Sequence, residues 1–468
     1  MADDVSKPKP EKSEKQKLWE RVSARPDWIV VERMRVNGFW PAGERLPEDP
    51  PDDVKERAAL EAERARLLKA ALAVQDPEAA LKAENQRRIE ESRKKKAERK
   101  LLREKATRER REAFIKKKRA SLVHLGLEVS GGLEKTGCDE ARLRALGLPV
   151  LADGTAVAAA IGITLGELRW LTYHRRGAPL VHYHRYDIPK KTGGQRHISA
   201  PKAKLARAQR WVLEAILDKV SPSKHAHGFV REHSVVTNAR PHVKHRTVVN
   251  LDLKDFFPTI TFRRTKGLFC ALGYGEHVAT VLALLCTEPP RVVVEHDERR
   301  THVAIGERVV PQGACTSPAI TNLLCRRLDL RLAGVARRRG LAYTRYADDL
   351  TFSGDELDAR VLLAVVRRVI AAEGFREHPD KTRVMRAGRR QEVTGVVVNA
   401  KTSIARDEWR QLRAILHNCA KHGLESQNRE QHPNFAGYLA GKVAWVRMVD
   451  ARRGAQLRLL LQRALARP

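Results

Sequence analysis

The chain has no Cys-x-x-Cys spacing, no long apolar run and comparatively few acidic residues, and each shortage closes off a class of protein. Its six cysteines, Cys138, Cys270, Cys286, Cys315, Cys325 and Cys419, are scattered over 468 residues. They are too thin for a disulfide framework and too far apart for a structural zinc site, which points to a reduced cytosol. No uninterrupted apolar stretch is long enough to span a bilayer, and residues Met1 to Lys17 are charged from the start, so the expectation is a soluble, cytoplasmic protein without a membrane partner. The acidic deficit is the most informative: 57 Asp and Glu stand against 90 Lys and Arg, a net charge of +33. So one-sided a surplus exceeds what solubility needs and asks for a polyanion, with nucleic acid the leading partner.

The length suggests roughly two or three units. A short segment with aromatic character at Trp28 to Trp40 is followed by Pro41, Pro47, Pro50 and Pro51, which mark an irregular linker. From Asp52 to about Arg119 the residues are strong helix formers, with a break predicted at Asp76-Pro77, so two long helices are expected. The second is extreme: Arg87 to Arg119 holds 17 Lys or Arg and 6 Asp or Glu, with too few apolar residues for a continuous stripe. It reads either as an arm that grips phosphates or as a solvated helix. Val129 to Thr136, with its Ser-Gly-Gly run, reads as a linker, and a compact domain is expected from about residue 140. Within it, strand-like runs (Arg246 to Leu253, Leu341 to Tyr346) alternate with helical ones (Lys202 to Lys219, Ala359 to Glu373), an α+β pattern.

Chemistry concentrates in carboxylates. In Thr344-Arg-Tyr-Ala-Asp-Asp-Leu-Thr-Phe-Ser353 two adjacent aspartates interrupt strand-forming sequence. Such a pair repels itself and suits a hairpin turn with a cation beside it. Asp252 ends the apolar run Val248-Val-Asn-Leu-Asp252 and cannot be buried charged without a partner. Three carboxylates converging from these two places would hold two Mg²⁺ ions about 3.5 to 4 Å apart, one for the attacking hydroxyl and one for the leaving pyrophosphate. An ordinary Asp-Asp surface turn and an unrelated capping Asp252 form the competing explanation.

Tyr346-Ala-Asp-Asp349 resembles the catalytic box of reverse transcriptases, and the Asp252 segment resembles their other metal-binding box. Pro311-Gln-Gly-Ala-Cys-Thr-Ser-Pro318 and Pro189-Lys-Lys-Thr-Gly-Gly-Gln-Arg-His-Ile198 resemble the family's Pro-Gln-Gly segment and fingers loop. Asn238-Ala-Arg-Pro-His242 and Val393-Thr-Gly395 are similar to segments of the retron branch. The resemblance spans roughly Leu165 to Ser403 and implies an α+β right-hand polymerase fold of fingers, palm and helical thumb, preceded by a basic α-helical N-terminal extension. The implied boundaries are a short segment at 1–50, the extension at 51–135, fingers and palm at 140–403 and thumb at 404–468.

The resemblance further implies catalytic Asp252, Asp348 and Asp349, with Leu253 joining them as a metal contact. Phe257 would press on the incoming sugar and favour deoxynucleotides. Lys190 and Arg196 suit the triphosphate, one as a point charge and the other as a planar fork, and Gln312 would lie beside the nucleotide. Lys381 in Pro379-Asp-Lys-Thr382 resembles a palm lysine that protonates pyrophosphate; a solvent-facing lysine is the other reading. Asn238 and His242 have donors and acceptors to bind RNA or to brace the palm. In the helical end, Arg447, Arg452 and Arg453 are expected to bind RNA through phosphates. The implied activity is copying a cognate non-coding RNA into a branched RNA-DNA hybrid (msDNA), self-primed from an RNA 2′-hydroxyl, in antiphage defence with an effector protein. The alternatives are a group II intron-like or domesticated reverse transcriptase, or a non-catalytic RNA-binding scaffold.

Overall fold

The computed structural model describes residues 14, 17, 27–44, 51–72, 77–190, 193–297 and 299–466. The expected Asp76 cap, Lys191 and Thr192 of the fingers loop, and the charged start apart from Glu14 and Lys17 lie outside them. The chain divides into two compact units, 1–109 and 110–468. The first holds the helices Asp27–Val36 and Pro51–Leu72 and most of Pro77–Ala120. The last of these has 44 residues, about 66 Å at the usual rise. Its described side chains are almost all exposed, as its composition requires, and they include local ion pairs such as Arg87 with Glu84 and Glu91.

The second unit is α+β. Its strands are β1 (Gly177–Ala178), β2 (Tyr183–Pro189), β3 (Gln195–Pro201), β4 (Thr247–Asp252), β5 (Arg291–His296), β6 (Arg299–Ala304), β7 (Ala342–Tyr346), β8 (Asp349–Gly354), β9 (Arg383–Arg386), β10 (Glu392–Val393) and β11 (Val396–Val397). The central sheet has the order β7-β8-β4-β9 and is antiparallel throughout. Its β4 supplies Val248, Val249 and Leu251 to the interior, and β8 supplies Leu350 and Phe352. The same core contains the helix Glu276–Cys286, buried from His277 to Cys286; a helix buried on all sides belongs at the centre of a large core. The helix Arg326–Arg338 packs on β7 and on the helix Ala359–Ala372, whose Asp358 caps it by accepting from the Arg360 and Val361 amides.

A second hydrophobic cluster joins the C-terminal helices Arg406–His422, Phe435–Val449 and Ala451–Leu465 through Leu416, Leu439, Val446 and Leu457. It also takes in Val236 and Ala239 from the short helix Val235–Ala239, and Val393 and Val396 from β10 and β11. The segments 238–242 and 393–395 thus each place a residue, Ala239 and Val393, in this second cluster.

The linker expected at 129–136 is not one. Leu122, Leu125, Val129 and Leu133 are buried in the main core together with Leu143 and Val278. Their spacing fits neither helix nor strand: the segment is irregular but packed, and its Ser-Gly-Gly run gives it a linker's composition. Among the described residues no helix is long and apolar enough to cross a membrane.

Candidate active site

The β4–β8 register sets Asp252 directly opposite Asp349. The strands β7 and β8 are joined by a two-residue turn, Ala347-Asp348, tight enough to leave Tyr346 paired with Asp349. Ala347 has φ +56°, a conformation that an alanine adopts only at a cost and that the surroundings must enforce. The Leu253 amide donates to the Asp348 carbonyl at 3.0 Å, fastening β4 to the turn.

Burial, and then the neighbouring Asp252, pushes the Asp348 carboxyl above its ordinary value. Asp349 is pushed up to about 7 by burial, then by Asp348 and Asp252. Like charges gathered out of water resist ionisation unless a cation joins them. One already does: Lys381 Nζ lies 2.9 Å from Asp252 Oδ2. Among the described residues no three His, Cys, Asp or Glu side chains form a closed metal cluster. The donor set nonetheless fits a divalent ion: hard carboxylate oxygens whose mutual repulsion a cation relieves. Leucine can offer a metal only its main-chain carbonyl, and Leu253 lines the same cleft.

This cleft, of 1110 Å³, is also lined by Lys190, Arg196, Phe257, Gln312, Asp348 and Lys381. Lys190 sits at the tip of the β2–β3 hairpin, where its amide donates to the Gly194 carbonyl at 2.9 Å. The hairpin is fixed to the Pro311-Gln-Gly segment by the Ser199 amide, which donates to the Gln312 carbonyl at 2.8 Å. Gly313 permits that approach: with φ +117°, an added Cβ would come 2.9 Å from Ile198 and 3.0 Å from the Ser199 carbonyl oxygen. Phe257 is half-buried and packs against the core.

Three expected RNA contacts are differently placed. Asn238 and His242 are both fully buried. His242 joins the two strands of the β7–β8 hairpin, with Nδ1 2.7 Å from Ser353 Oγ and Nε2 2.8 Å from Thr344 Oγ1. Asn238 Nδ2 donates to Thr394 Oγ1 at 3.3 Å. Of the two roles their chemistry allowed, bracing the palm is the one their burial leaves. Arg453 is engaged within the thumb, donating to Ser403 Oγ at 2.9 Å and lying over the Trp409 ring. Arg447 and Arg452 are exposed.

The group that sequence reasoning missed stands inside the quoted motif. Arg345 is fully buried. Its guanidinium pairs with both Asp329 oxygens at 2.8 Å and donates to Asn322 Oδ1 at 2.9 Å and the Ala347 carbonyl at 3.1 Å. The strained turn is thus held from below by a fork whose other end is anchored in helices Arg326–Arg338 and Ser317–Leu324. The only signal was an arginine where a strand expected an apolar residue.

An antiparallel palm that presents carboxylates at the ends of neighbouring strands, faced by a basic hairpin and followed by a helical thumb, defines a template-directed nucleic-acid polymerase. The model of the reverse transcriptase (RNA-dependent DNA polymerase) family matches residues 188–425. The chain is 45% identical over 352 residues to the retron Mx162 reverse transcriptase of Myxococcus xanthus, covering 70% of this chain and 71% of that one. It is 46% identical over 320 residues to the retron Mx65 reverse transcriptase of the same organism, covering 68% and 73%. To the retron Ec86 reverse transcriptase of Escherichia coli it is 35% identical over 286 residues, covering 60% and 82%. The chain belongs to the retron reverse transcriptases and is an RNA-directed DNA polymerase with the right-hand fold. Members of the wider family generally use divalent metal ions and bind nucleic acid.

Proposed function

We propose that this polymerase copies one cognate structured non-coding RNA into a branched RNA-DNA hybrid, msDNA, starting from a 2′-hydroxyl of that RNA, and that it serves antiphage defence in the cytoplasm with an effector protein. The observation that carries the retron-specific part is the link between Asn238 and Thr394. It joins the two retron-type segments, while His242 on the same segment holds the catalytic hairpin. Through the second hydrophobic cluster, which also holds the C-terminal helices, these segments link those helices to the β7–β8 hairpin, an arrangement that suits an enzyme that starts on one folded RNA.

In this reading Asp252, Asp348 and Asp349, with the Leu253 carbonyl, hold two Mg²⁺ ions. When bound, these supply charge stabilisation to the attacking hydroxyl and the leaving pyrophosphate. Lys190 and Arg196 bind the triphosphate, and Gln312 and Phe257 shape the place of base and sugar. Lys381, 2.9 Å from Asp252, would be the ammonium that donates a proton to pyrophosphate. Arg447 and Arg452 bind RNA phosphates from the thumb surface.

The test is deoxynucleotide incorporation by protein co-expressed with the RNA encoded beside its gene, comparing wild type with Asp348→Asn plus Asp349→Asn. The expected result is DNA covalently joined to RNA in the wild type. The variant should lose at least about a thousand-fold, since metal ions contribute several kcal/mol and each ~1.4 kcal/mol is tenfold. Synthesis that starts only from an added DNA oligonucleotide would refute self-priming while leaving the polymerase intact. Equal activity in wild type and variant would refute the metal assignment.

A further inference from the structure

Three phenylalanines line the catalytic cleft, and they are placed very differently. Phe256 is in the core and Phe257 packs against it. Phe229 stands 58% exposed. Its backbone is at φ +60°, a region that bulky side chains rarely occupy and that glycine occupies freely. A single exposed apolar ring is ordinary on a surface, but one held in a strained backbone conformation at the wall of the cleft marks a functional position.

The strain is firmly enforced. The Gly228 carbonyl accepts from Asn322 Nδ2 at 2.9 Å, and Asn322 in turn accepts from Arg345. A Cβ on Gly228 would come 2.5 Å from the Ala347 nitrogen, so only glycine lets this loop press against the catalytic turn. On the near side, Ala226 bridges to Arg345, and the His227 amide donates to the Arg345 carbonyl at 2.7 Å. On the far side His233 Nδ1 lies 2.9 Å from the Ala226 carbonyl, and the His233 amide donates to the Val230 carbonyl at 3.2 Å. The ring is presented by a loop that shares its supports with Asp348.

We propose that Phe229 is a nucleic-acid-binding residue whose ring stacks on the terminal base pair of the primer-template at the catalytic turn. Two observations select that pair over the incoming nucleotide. Phe229 is fixed to the Ala347-Asp348 turn, beside which the primer's reactive hydroxyl must lie for the carboxylates to serve it. Lys190 and Arg196 instead belong to the β2–β3 hairpin, which is fixed to Gln312. An aromatic face is tolerant of sequence because every base has a π-face, which suits a position that meets each base pair in turn.

The test is steady-state incorporation on a generic RNA template with a DNA primer, varying the duplex and the deoxynucleotide separately, for Phe229→Gly, Phe229→Ala, Phe229→Leu and Phe229→Trp of the full chain. Because it needs no cognate RNA, its outcome is independent of whether self-priming holds. Phe229→Gly and Phe229→Ala should raise the KM for duplex roughly ten-fold and leave that for deoxynucleotide nearly unchanged. Phe229→Leu should behave like Phe229→Ala, and Phe229→Trp should restore duplex affinity. Phe229→Gly also relieves the backbone, so its thermal midpoint should equal or exceed that of the wild type. A glycine variant with wild-type KM for duplex, a leucine variant equal to wild type, an effect confined to the deoxynucleotide KM, or a fall in the glycine variant's thermal midpoint would each overturn the assignment.

Discussion

The helix Pro77–Ala120 and the catalytic hairpin both concentrate charge, and they manage it in opposite ways. Along the helix, the described charges stand in water, and pairs such as those of Arg87 and Arg88 are with acids one turn away. Around the hairpin, Arg345, Asp329 and Asp252 are buried and each has a partner in another element. Solvated charges add little to stability individually and remain available to an external polyanion. Buried ones fix geometry, and removing one partner leaves the other stranded. The same residue types thus serve capture in one region and positioning in the other.

The comparison is broken most severely at Asp329. Asp329→Asn keeps the shape but strips the negative charge from beneath Arg345, whose side chain is fully buried. The expected loss is about 3–5 kcal/mol of stability, read as a lowered midpoint in urea. Activity of the fraction that remains folded should also fall, because Arg345 carries the Ala347 carbonyl. A loss below ~1 kcal/mol, as for a surface ion pair, would mean that burial does not make the distinction.

His242 sharpens it with a titration. Burial first, then His245 and His227, lowers its pKa to about 3, whereas an unfolded histidine titrates near 6.5. The unfolded chain therefore binds the extra proton first. The stability this difference represents is fully present above about pH 6.5 and is lost progressively as pH falls toward 3, by about 2 kcal/mol between pH 7 and pH 5. His174 and His227, each lowered to about 4 chiefly by burial, act in the same window. His242→Gln should lower the urea midpoint at pH 7, since it disrupts the bonds to Ser353 and Thr344. It should also flatten the fall in stability between pH 7 and pH 5 relative to wild type. An unchanged acid slope would show that His242 protonates without unfolding.

What the sequence reveals follows the same division. That Asp252 and the Asp348-Asp349 pair meet, as the β4–β8 register has them, could be expected from a carboxylate that ends an apolar run and an adjacent pair inside strand-forming sequence, and the α+β pattern and both long helices followed from periodicity and composition. Arg345 was hidden because its meaning lies in Asp329 and Asn322, earlier in the chain and on other elements. Asn238 and His242 have side chains equally suited to RNA and to an interior, and only burial separates those uses. The segment 129–136 looks like a linker because its buried residues, Val129 and Leu133, pack without a regular period beside a Ser-Gly-Gly run. Phe229 offered no signal at all, since a positive φ is imposed by the fold around it and not by its own residue type.

The weakest perturbation should be the one that changes the most charge. Replacing Arg93, Lys94, Lys95, Lys96, Arg99 and Lys100 with glutamine leaves helix propensity nearly intact, and all six side chains are exposed. Each change should move stability by no more than about 0.5 kcal/mol, and incorporation on a generic primer-template should be preserved. Binding of the cognate RNA should weaken, with a shallower slope of log affinity against log salt, because a phosphate that no longer meets a cationic side chain keeps its counterion. Filter binding between about 50 and 200 mM salt measures it. An unchanged slope would make the helix a solvated rod and confine capture of RNA to the second unit; a collapse of generic polymerisation in a folded variant would mean that its exposed charges also serve the palm.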